Sequence, residues 1–328
     1  MKQLDLSIIV PVYNEAQNVD PLLARLLPVL ERLTPTFQVL FVDDGSTDDT
    51  ARLVRMASTR EPRVELLSLA RNFGHQVALT AGLDHARGDV VISMDGDLQH
   101  PPEMIPQMID LYHEGNDVVY TVRRASGGES VGKRMSSAMF YRLFNFLSPV
   151  RIQQASSDFR LLSRHAVDVL SSLPERHRFL RGLIPWTGFR SASVPYEAEP
   201  RHAGKAKYST MRSLSMALDA AFSFSRVPLQ LATLLGLLTT LACLVYFLVC
   251  VAVWWEGGTV TGWTSLIASV LFIGGVQLTF VGILGEYVGR IYEEVKRRPL
   301  YVVQEYHGAL PTAGSGEKSF ERMTTGGL

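Results

Sequence analysis

Two carboxylates one residue apart, Asp95 and Asp97, follow directly on the strand-like run Val90-Val91-Ile92-Ser93-Met94. The residues after them, Leu98-Gln99-His100-Pro101-Pro102, cannot continue that strand. Like charges held so close at the tip of a buried strand raise each other's pKa unless a cation or a donor-rich ligand neutralises them. A hard divalent metal with oxygen ligands, carrying a phosphate-bearing substrate, resolves that cost. The pair therefore points to a transferase with a nucleotide-linked donor, against the bland alternative of a solvated acidic turn. If the segment runs on extended, alternation places Asp95, Asp97 and Gln99 on one side.

Positioning such a pair is the work of the surrounding elements. Strand patterns at 6–12, 37–42, 64–69, 89–94 and 117–122 alternate with helical patterns at about 17–33, 74–86 and 102–113, and Ser46 or Thr47 is placed to cap a further helix between them. This alternation predicts a mostly parallel sheet covered on both faces. Open sheets of that kind bind ligands beyond the carboxyl ends of their strands. Here those ends carry Tyr13-Asn14-Glu15, Asp43-Asp44, Arg71-Asn72 and Asp95-Gly96-Asp97, so four successive strands deliver polar groups to one rim. Glu15 and Asp44 are equally suited to capping turns. His75 and His100 lie near the same rim, in reach of donor or water.

Further along come a basic loop from Arg123 to Glu129, a helix over about 131–147 that opens with Lys133 and Arg134, and Ser156-Ser157-Asp158-Phe159-Arg160 ahead of a helix near 165–173. A strand is expected over 189–197. The segment Arg201 to Tyr208 is basic and hinged at Gly204, and 210–224 reads as an amphipathic helix for a membrane surface. The tail after Tyr306 is rich in Gly, Ser and Thr and is expected to be disordered.

A chain of 328 residues that is 47% apolar builds one large core with an appendage, or two modest domains. The apolar residues are segregated. No charged residue occurs from Pro228 to Trp255 or from Gly257 to Gly285, and each stretch exceeds the roughly 20 apolar positions that cross a bilayer. The hairpin between them lacks Lys and Arg, whereas Arg212, Arg226, Arg290, Lys296, Arg297 and Arg298 flank the pair. The positive-inside bias then places the N-terminal region and the tail in the cytoplasm, with Trp254, Trp255 and Trp263 at the outer interface. Cys243 and Cys250 both fall in the first apolar stretch and read as reduced thiols. The N-terminus shows no signal-peptide pattern. No histidine spacing suits a metal, and neither a Walker-type phosphate loop nor a Gly-x-Ser-x-Gly elbow is present, which argues against ATPase and hydrolase chemistry. No nucleic-acid partner is expected.

The runs Ser7-Ile8-Ile9-Val10-Pro11-Val12-Tyr13-Asn14-Glu15, Val42-Asp43-Asp44-Gly45-Ser46, Arg71-Asn72-Phe73-Gly74-His75-Gln76 and Met94-Asp95-Gly96-Asp97-Leu98-Gln99-His100-Pro101-Pro102-Glu103 together resemble family 2 glycosyltransferases of the GT-A fold. Within that family the chain is similar to the polyprenyl-phosphate branch of dolichol-phosphate mannose synthases, bactoprenol glucosyltransferases and the undecaprenyl-phosphate aminoarabinose transferase. The likeness extends to Leu284-Gly285-Glu286-Tyr287-Val288-Gly289-Arg290-Ile291-Tyr292.

The resemblance implies an α/β GT-A domain over 1–207, a juxtamembrane helix over 208–227, a two-helix transmembrane hairpin over 228–290 and a cytoplasmic tail over 291–328. It implies an inner-membrane enzyme that moves one sugar to undecaprenyl phosphate with inversion. The runs Arg178 to Gly182 and Ser223 to Ser225 favour UDP-glucose as donor, with mannose from GDP-mannose or amino-arabinose as alternatives. A processive polysaccharide synthase and a nucleotide-sugar-binding scaffold are the more distant ones.

By the same resemblance Asp95, Asp97 and Gln99 hold Mg²⁺ or Mn²⁺, and Pro11, Tyr13, Glu15, Asp43, Asp44, Gly74 and Asp95 line the donor pocket. Arg123, Arg134, Arg201 and Lys207 meet the lipid phosphate, with Lys133 and Lys205 nearby. Either Lys205 or Lys207 fills the family's lysine position, and all these cations also suit anionic headgroups. Asp158 aligns with an acceptor-side carboxylate; bonding Arg160 or capping a helix is its alternative role. Gly96 stands where many relatives have Ala, an exchange expected to leave the metal geometry undisturbed. A flippase partner and a homo-oligomer, a tetramer, complete the expectations.

Overall fold

The computed structural model describes residues 5–123, 156–176, 178–197, 227–256 and 262–308. They fall in two compact units, one built from residues up to 208 together with those from Pro299 onward, the other from residues between Ser209 and Arg298.

The first unit is built on one mixed sheet. Its strands are β1 (Leu6–Val12), β2 (Phe37–Asp43), β3 (Val64–Leu69), β4 (Val90–Ser93), β5 (Val118–Arg123), β6 (Ser156–Ser163), β7 (Ser191–Tyr196) and β8 (Val303–His307), in the order β7-β5-β6-β4-β1-β2-β3-β8. The central β4-β1-β2-β3 block is parallel, and β5 pairs parallel with β7. Strands β6 and β8 run antiparallel to their neighbours. Between the strands lie α1 (Val19–Leu33), α2 (Thr50–Arg60), α3 (His75–His85), α4 (Ile105–His113), α5 (Arg164–Ser172) and α6 (Leu180–Trp186). A 3₁₀ turn over Pro102–Met104 leads into α4.

The four central parallel strands β1 to β4 are buried along their whole length, as near-continuous apolar runs require. Leu22, Leu26 and Leu30 of α1, Val54 of α2 and Met108 of α4 pack with Ile8, Val10, Val39, Phe41, Leu66 and Ile92 in a single core. Helix α3 comes closer to the sheet. A Cβ at Gly82 would stand 2.2 Å from Ile9 Cγ2, so α3 lies against β1 only because residue 82 has no side chain. That contact sets where the N-terminus of α3, which carries His75, meets the rim.

Three elements differ from the sequence pattern. Ser156–Ser163 forms β6, inserted between β4 and β5, where only the lead-in to a helix is expected. Leu180–Trp186 forms the short α6. Val303–His307 returns after the apolar helices and adds β8 to the edge of β3. Tyr306 OH donates to Glu65 Oε2 at 2.5 Å, and Arg55 grips Glu305 with Nη2–Oε2 at 2.7 Å. Residues from 309 onward lie outside the described ones.

The second unit consists, among the described residues, of α7 (Val227–Trp255) and α8 (Trp263–Val295). Both contain segments long and apolar enough to cross a membrane, Ala232–Val253 and Phe272–Val295. Their large apolar side chains are exposed, among them Leu237, Phe247, Phe272 and Leu278. The expected helices at 131–147 and 210–224 lie outside the described residues.

Candidate active site

The rim beyond β1, β2, β3 and β4 is stitched together by side chains reaching from one loop to the next. Asn14, in the left-handed region at φ +54°, accepts from Thr47 N through Oδ1 at 2.8 Å, and its own N–H donates to Ser46 Oγ at 2.9 Å. Glu15 N donates to Thr50 Oγ1 at 2.9 Å, and Glu15 Oε2 accepts from Asn18 Nδ2 at 2.5 Å. Gly45 is required twice over: its φ is +70°, and a Cβ there would stand 2.5 Å from the Arg71 carbonyl carbon. Pro11, one residue before the end of β1, is buried beside Val42 of β2.

The two aspartates after β2 do different work. Asp43 is buried, accepting from Ser46 N at 3.1 Å and lying 3.5 Å from Ser68 Oγ. Asp44 accepts from Phe73 N at 2.7 Å and Gly74 N at 2.9 Å, one amide to each oxygen. Burial raises the Asp44 pKa, and those two amides oppose the shift. Asp44 thus shapes the 71–74 loop, the turn role that the sequence leaves open, and so sets the start of α3.

After β4 the chain turns. Leu98 is left-handed at φ +64°, unusual for a bulky residue, and its buried side chain anchors the turn. The extended run that would align Asp95, Asp97 and Gln99 by alternation is therefore not formed. Instead Asp97 Oδ1 accepts from Gln99 N at 3.1 Å, and Asp95 N donates to His100 Nδ1 at 2.9 Å. Accepting at Nδ1 leaves the His100 proton on Nε2, which donates to Ser157 Oγ at 2.6 Å. His100 is buried and stacked on Phe159, with ring centroids 5.2 Å apart. It is a fixed post between β4 and β6.

Asp158, on β6, is 4% exposed and surrounded by cations. Arg181 of α6 clasps it with two parallel bonds, Nε–Oδ1 at 3.1 Å and Nη2–Oδ2 at 2.7 Å. Arg160 Nη2 donates to Oδ1, and His75 Nε2 lies 3.3 Å from Oδ2. Burial alone would raise the Asp158 pKa, but the charges of Arg181 and Arg160 and the bonds from His75 and Arg181 hold it well below the usual carboxylate value. His75 Nε2 is also 3.4 Å from Asp95 Oδ1. Burial favours neutral His75, yet the Asp158 bond and the two carboxylate charges raise its pKa.

A divalent ion fits this rim. Asp95 Oδ1 is a buried carboxylate oxygen with no hydrogen-bond partner, which is costly unless a cation is to be met there. Among the described residues no three His, Cys, Asp or Glu side chains converge as a cage. One or two carboxylates completed by substrate phosphates is how Mg²⁺ and its analogues are commonly held.

Residues 7–170 match the family described as glycosyl transferase family 2. The chain is 42% identical over 307 residues to an uncharacterised glycosyltransferase of Synechocystis sp., spanning 93% of this chain and 96% of that protein. It is 38% identical over 312 residues to the SfII prophage-derived bactoprenol glucosyl transferase of Shigella flexneri, spanning 94% and 100%.

The chain belongs to glycosyltransferase family 2.

Among solved structures, the family 2 chain is similar to glucosyl-3-phosphoglycerate synthase from Mycobacterium tuberculosis in complex with Mn²⁺, uridine-diphosphate-glucose and phosphoglyceric acid. The identity is 20%, the TM-score 0.46, and the match covers 67% of this chain and 78% of that one. The mixed, mostly parallel sheet is the GT-A architecture expected from the motifs, and the protein is a glycosyltransferase.

The structure brings Pro11, Tyr13, Glu15, Asp43, Asp44, Gly74, Asp95, Asp97 and Gln99 to the ends or loops of four adjacent parallel strands, and Asp158 joins them through His75. Arg123 closes β5 opposite Tyr196. Arg134, Arg201 and Lys207, with Lys133 and Lys205, lie outside the described residues. Spacing alone did not reveal Arg181 as a partner of Asp158. The available signal was the Arg178 to Gly182 run, informative only once a buried carboxylate was known to need more than one cation.

Proposed function

We propose that this family 2 glycosyltransferase moves one glucose from UDP-glucose to undecaprenyl phosphate, with inversion, at the cytoplasmic face of a membrane crossed by Ala232–Val253 and Phe272–Val295. The observation that carries the reading is the buried, hydrogen-bond-free Asp95 Oδ1 at the strand-end rim. Near full-length similarity to a bactoprenol glucosyl transferase supports the acceptor and the sugar. The distribution of Lys and Arg around the apolar helices supports the orientation.

In this reading Asp95, Asp97 and Gln99 would hold Mg²⁺ or Mn²⁺, which when bound stabilises the charge on the departing nucleoside diphosphate. Pro11, Tyr13, Glu15 and Asp43 form the nucleotide side, on a floor that Asp44 fixes by tying down Phe73 and Gly74. A phosphate monoester is already anionic at neutral pH and needs little help from a base. Asp158, saturated by Arg160, Arg181 and His75, is accordingly a positioning residue rather than a proton acceptor. The chain contributes alignment and preorganised charge. Arg123, Arg134, Arg201 and Lys207 are assigned to the acceptor phosphate, for which Arg offers a two-point grip.

The test is incubation of the purified protein with undecaprenyl phosphate, Mg²⁺ or Mn²⁺, and a panel of radiolabelled nucleotide sugars. Expected is a chelator-sensitive, β-linked glucosyl lipid that the Asp97→Ala variant does not form. Retention of configuration, turnover unaffected by chelation, or use of another donor alone would overturn it.

A further inference from the structure

The run Arg178-Phe179-Leu180-Arg181-Gly182 has no part in the chemistry assigned above, yet two of its residues, Leu180 and Arg181, bond to groups at the rim. Arg178 binds the carbonyls that end α5, with Nη2 2.6 Å from Leu173 O and 3.3 Å from Ser171 O. Leu180 N donates to Gln76 Oε1 at 3.2 Å, fastening the start of α6 to the first turn of α3. The entry to α6 is thereby fixed from two sides, and from it Arg181 extends its guanidinium to Asp158 in a two-point clasp.

The clasp is one link of a longer chain of contacts. Asp158 Oδ2 receives Arg181 Nη2 at 2.7 Å and faces His75 Nε2 at 3.3 Å, and the same nitrogen faces Asp95 Oδ1 at 3.4 Å. Asp95 Oδ1 is the buried oxygen that lacks a hydrogen bond. Arg160 cannot replace Arg181, because it reaches Asp158 only through Nη2, while its buried Nη1 has no hydrogen-bond partner. Without Arg181, one oxygen of Asp158 is left to His75 alone, and the carboxylate is free to rotate about its last torsion.

We infer that Arg181 is a positioning residue for the divalent-ion site, acting through Asp158 and His75 to fix the direction in which Asp95 presents the buried oxygen that His75 faces. The inference rests on the metal site of the proposed function and adds to it a residue three contacts removed from the ligand. His75 is the group that directly faces the ligand, and loss of such a direct partner commonly weakens metal affinity by about 10–100-fold; Arg181 acts on it through Asp158.

Calorimetric titration of Mn²⁺ into the full-length protein saturated with UDP tests this without turnover. Arg181→Met is expected to weaken Mn²⁺ binding by at least about tenfold. Arg181→Lys restores charge but not the two-point fork, so it is expected to recover thermal stability while Mn²⁺ binding stays weak. In a His75→Ala background, Arg181→Met should cause no further loss, because the connection is already cut. If Arg181→Lys regains both stability and affinity, or if Arg181→Met binds Mn²⁺ as the unaltered protein does, the positioning role is wrong. If the unaltered protein with UDP binds no Mn²⁺, the metal site itself is refuted, an outcome distinct from either of these.

Discussion

Gly96 lies against Val12: a Cβ built on the glycine would stand 2.8 Å from Val12 Cγ1. The space beside the position between the two acidic residues is thus filled by a side chain from β1, and an added methyl at residue 96 would press on it. Val12 is β-branched and buried, so it yields only by moving the backbone or leaving its rotamer. Gly96→Ala is expected to cost about 1–3 kcal/mol as overpacking and to weaken Mn²⁺ binding by displacing Asp95 and Asp97. A double-mutant cycle with Val12→Ala checks it. The alanine penalty should vanish once the Val12 methyls are removed, and a penalty that persists would place the conflict elsewhere.

Asp44 is the loop anchor that a motif reading assigns to the nucleotide. Asp44→Asn replaces one acceptor oxygen by a donor facing the N–H of Phe73 or Gly74, and an unpaired amide of this kind costs about 1–3 kcal/mol. Faster hydrogen exchange at Phe73 and Gly74 is expected, with a raised KM for the donor and a smaller change in kcat. A variant with unaltered exchange and only a raised KM would instead place the Asp44 carboxylate on the nucleotide itself.

The parallel core was legible because its strands are continuous apolar runs with polar tips, and tip position is what brings Glu15, Asp43, Asp44 and Asp95 together. Strand β6 was hidden because Ser156-Ser157-Asp158-Phe159-Arg160 reads as polar loop. Its buried polar residues depend in part on partners distant in sequence, Arg181 and His100. Strand β8 was hidden for a related reason: Val303-Gln304-Glu305-Tyr306-His307 gains its stability from Glu65, Arg55 and the β3 backbone more than two hundred residues earlier. The turn at Leu98 gave no local sign, since Leu is not a residue that favours positive φ. Helix α7 and the part of α8 up to Gly285 needed no tertiary information, because charge-free apolar length alone marks them.

Besides the backbone pairing with β3, two side-chain contacts of β8 should differ in weight. Arg55 and Glu305 are partly exposed, with side chains 42% and 39% accessible, and solvent screens such a pair to about 1 kcal/mol or less. Tyr306 OH donates to Glu65, which is 1% exposed and is shared with Arg87 and Gln38. Tyr306→Phe removes a donor from a buried carboxylate, for about 1–3 kcal/mol. In thermal unfolding of the detergent-solubilised protein, Tyr306→Phe is therefore expected to lower Tm more than Arg55→Met. The reverse order would mean that the exposed pair, not the buried network, retains the returning strand.

Asp158→Asn keeps the shape of the side chain but leaves Arg160, 3% exposed, without its counter-charge, a loss of about 3–5 kcal/mol. The pH dependence of that loss has a definite sign. Because Asp158 has its folded-state pKa held well below 3.8, its contribution is complete above the unfolded value and disappears only as pH falls through the folded one. His75 titrates in the opposite sense: with its pKa raised above 6.5, its contribution is complete below that value and is lost as pH rises through the folded pKa. The stability difference between the unaltered protein and Asp158→Asn should therefore be level between about pH 5 and 6.5, shrink below about pH 4, and decline again on the alkaline side. Denaturant titrations across pH 3.5 to about 9 measure it. Repeating them in a His75→Gln background should abolish the alkaline decline and leave the acid one. An alkaline decline that survives the replacement would show that a group other than His75 shares the Asp158 carboxylate.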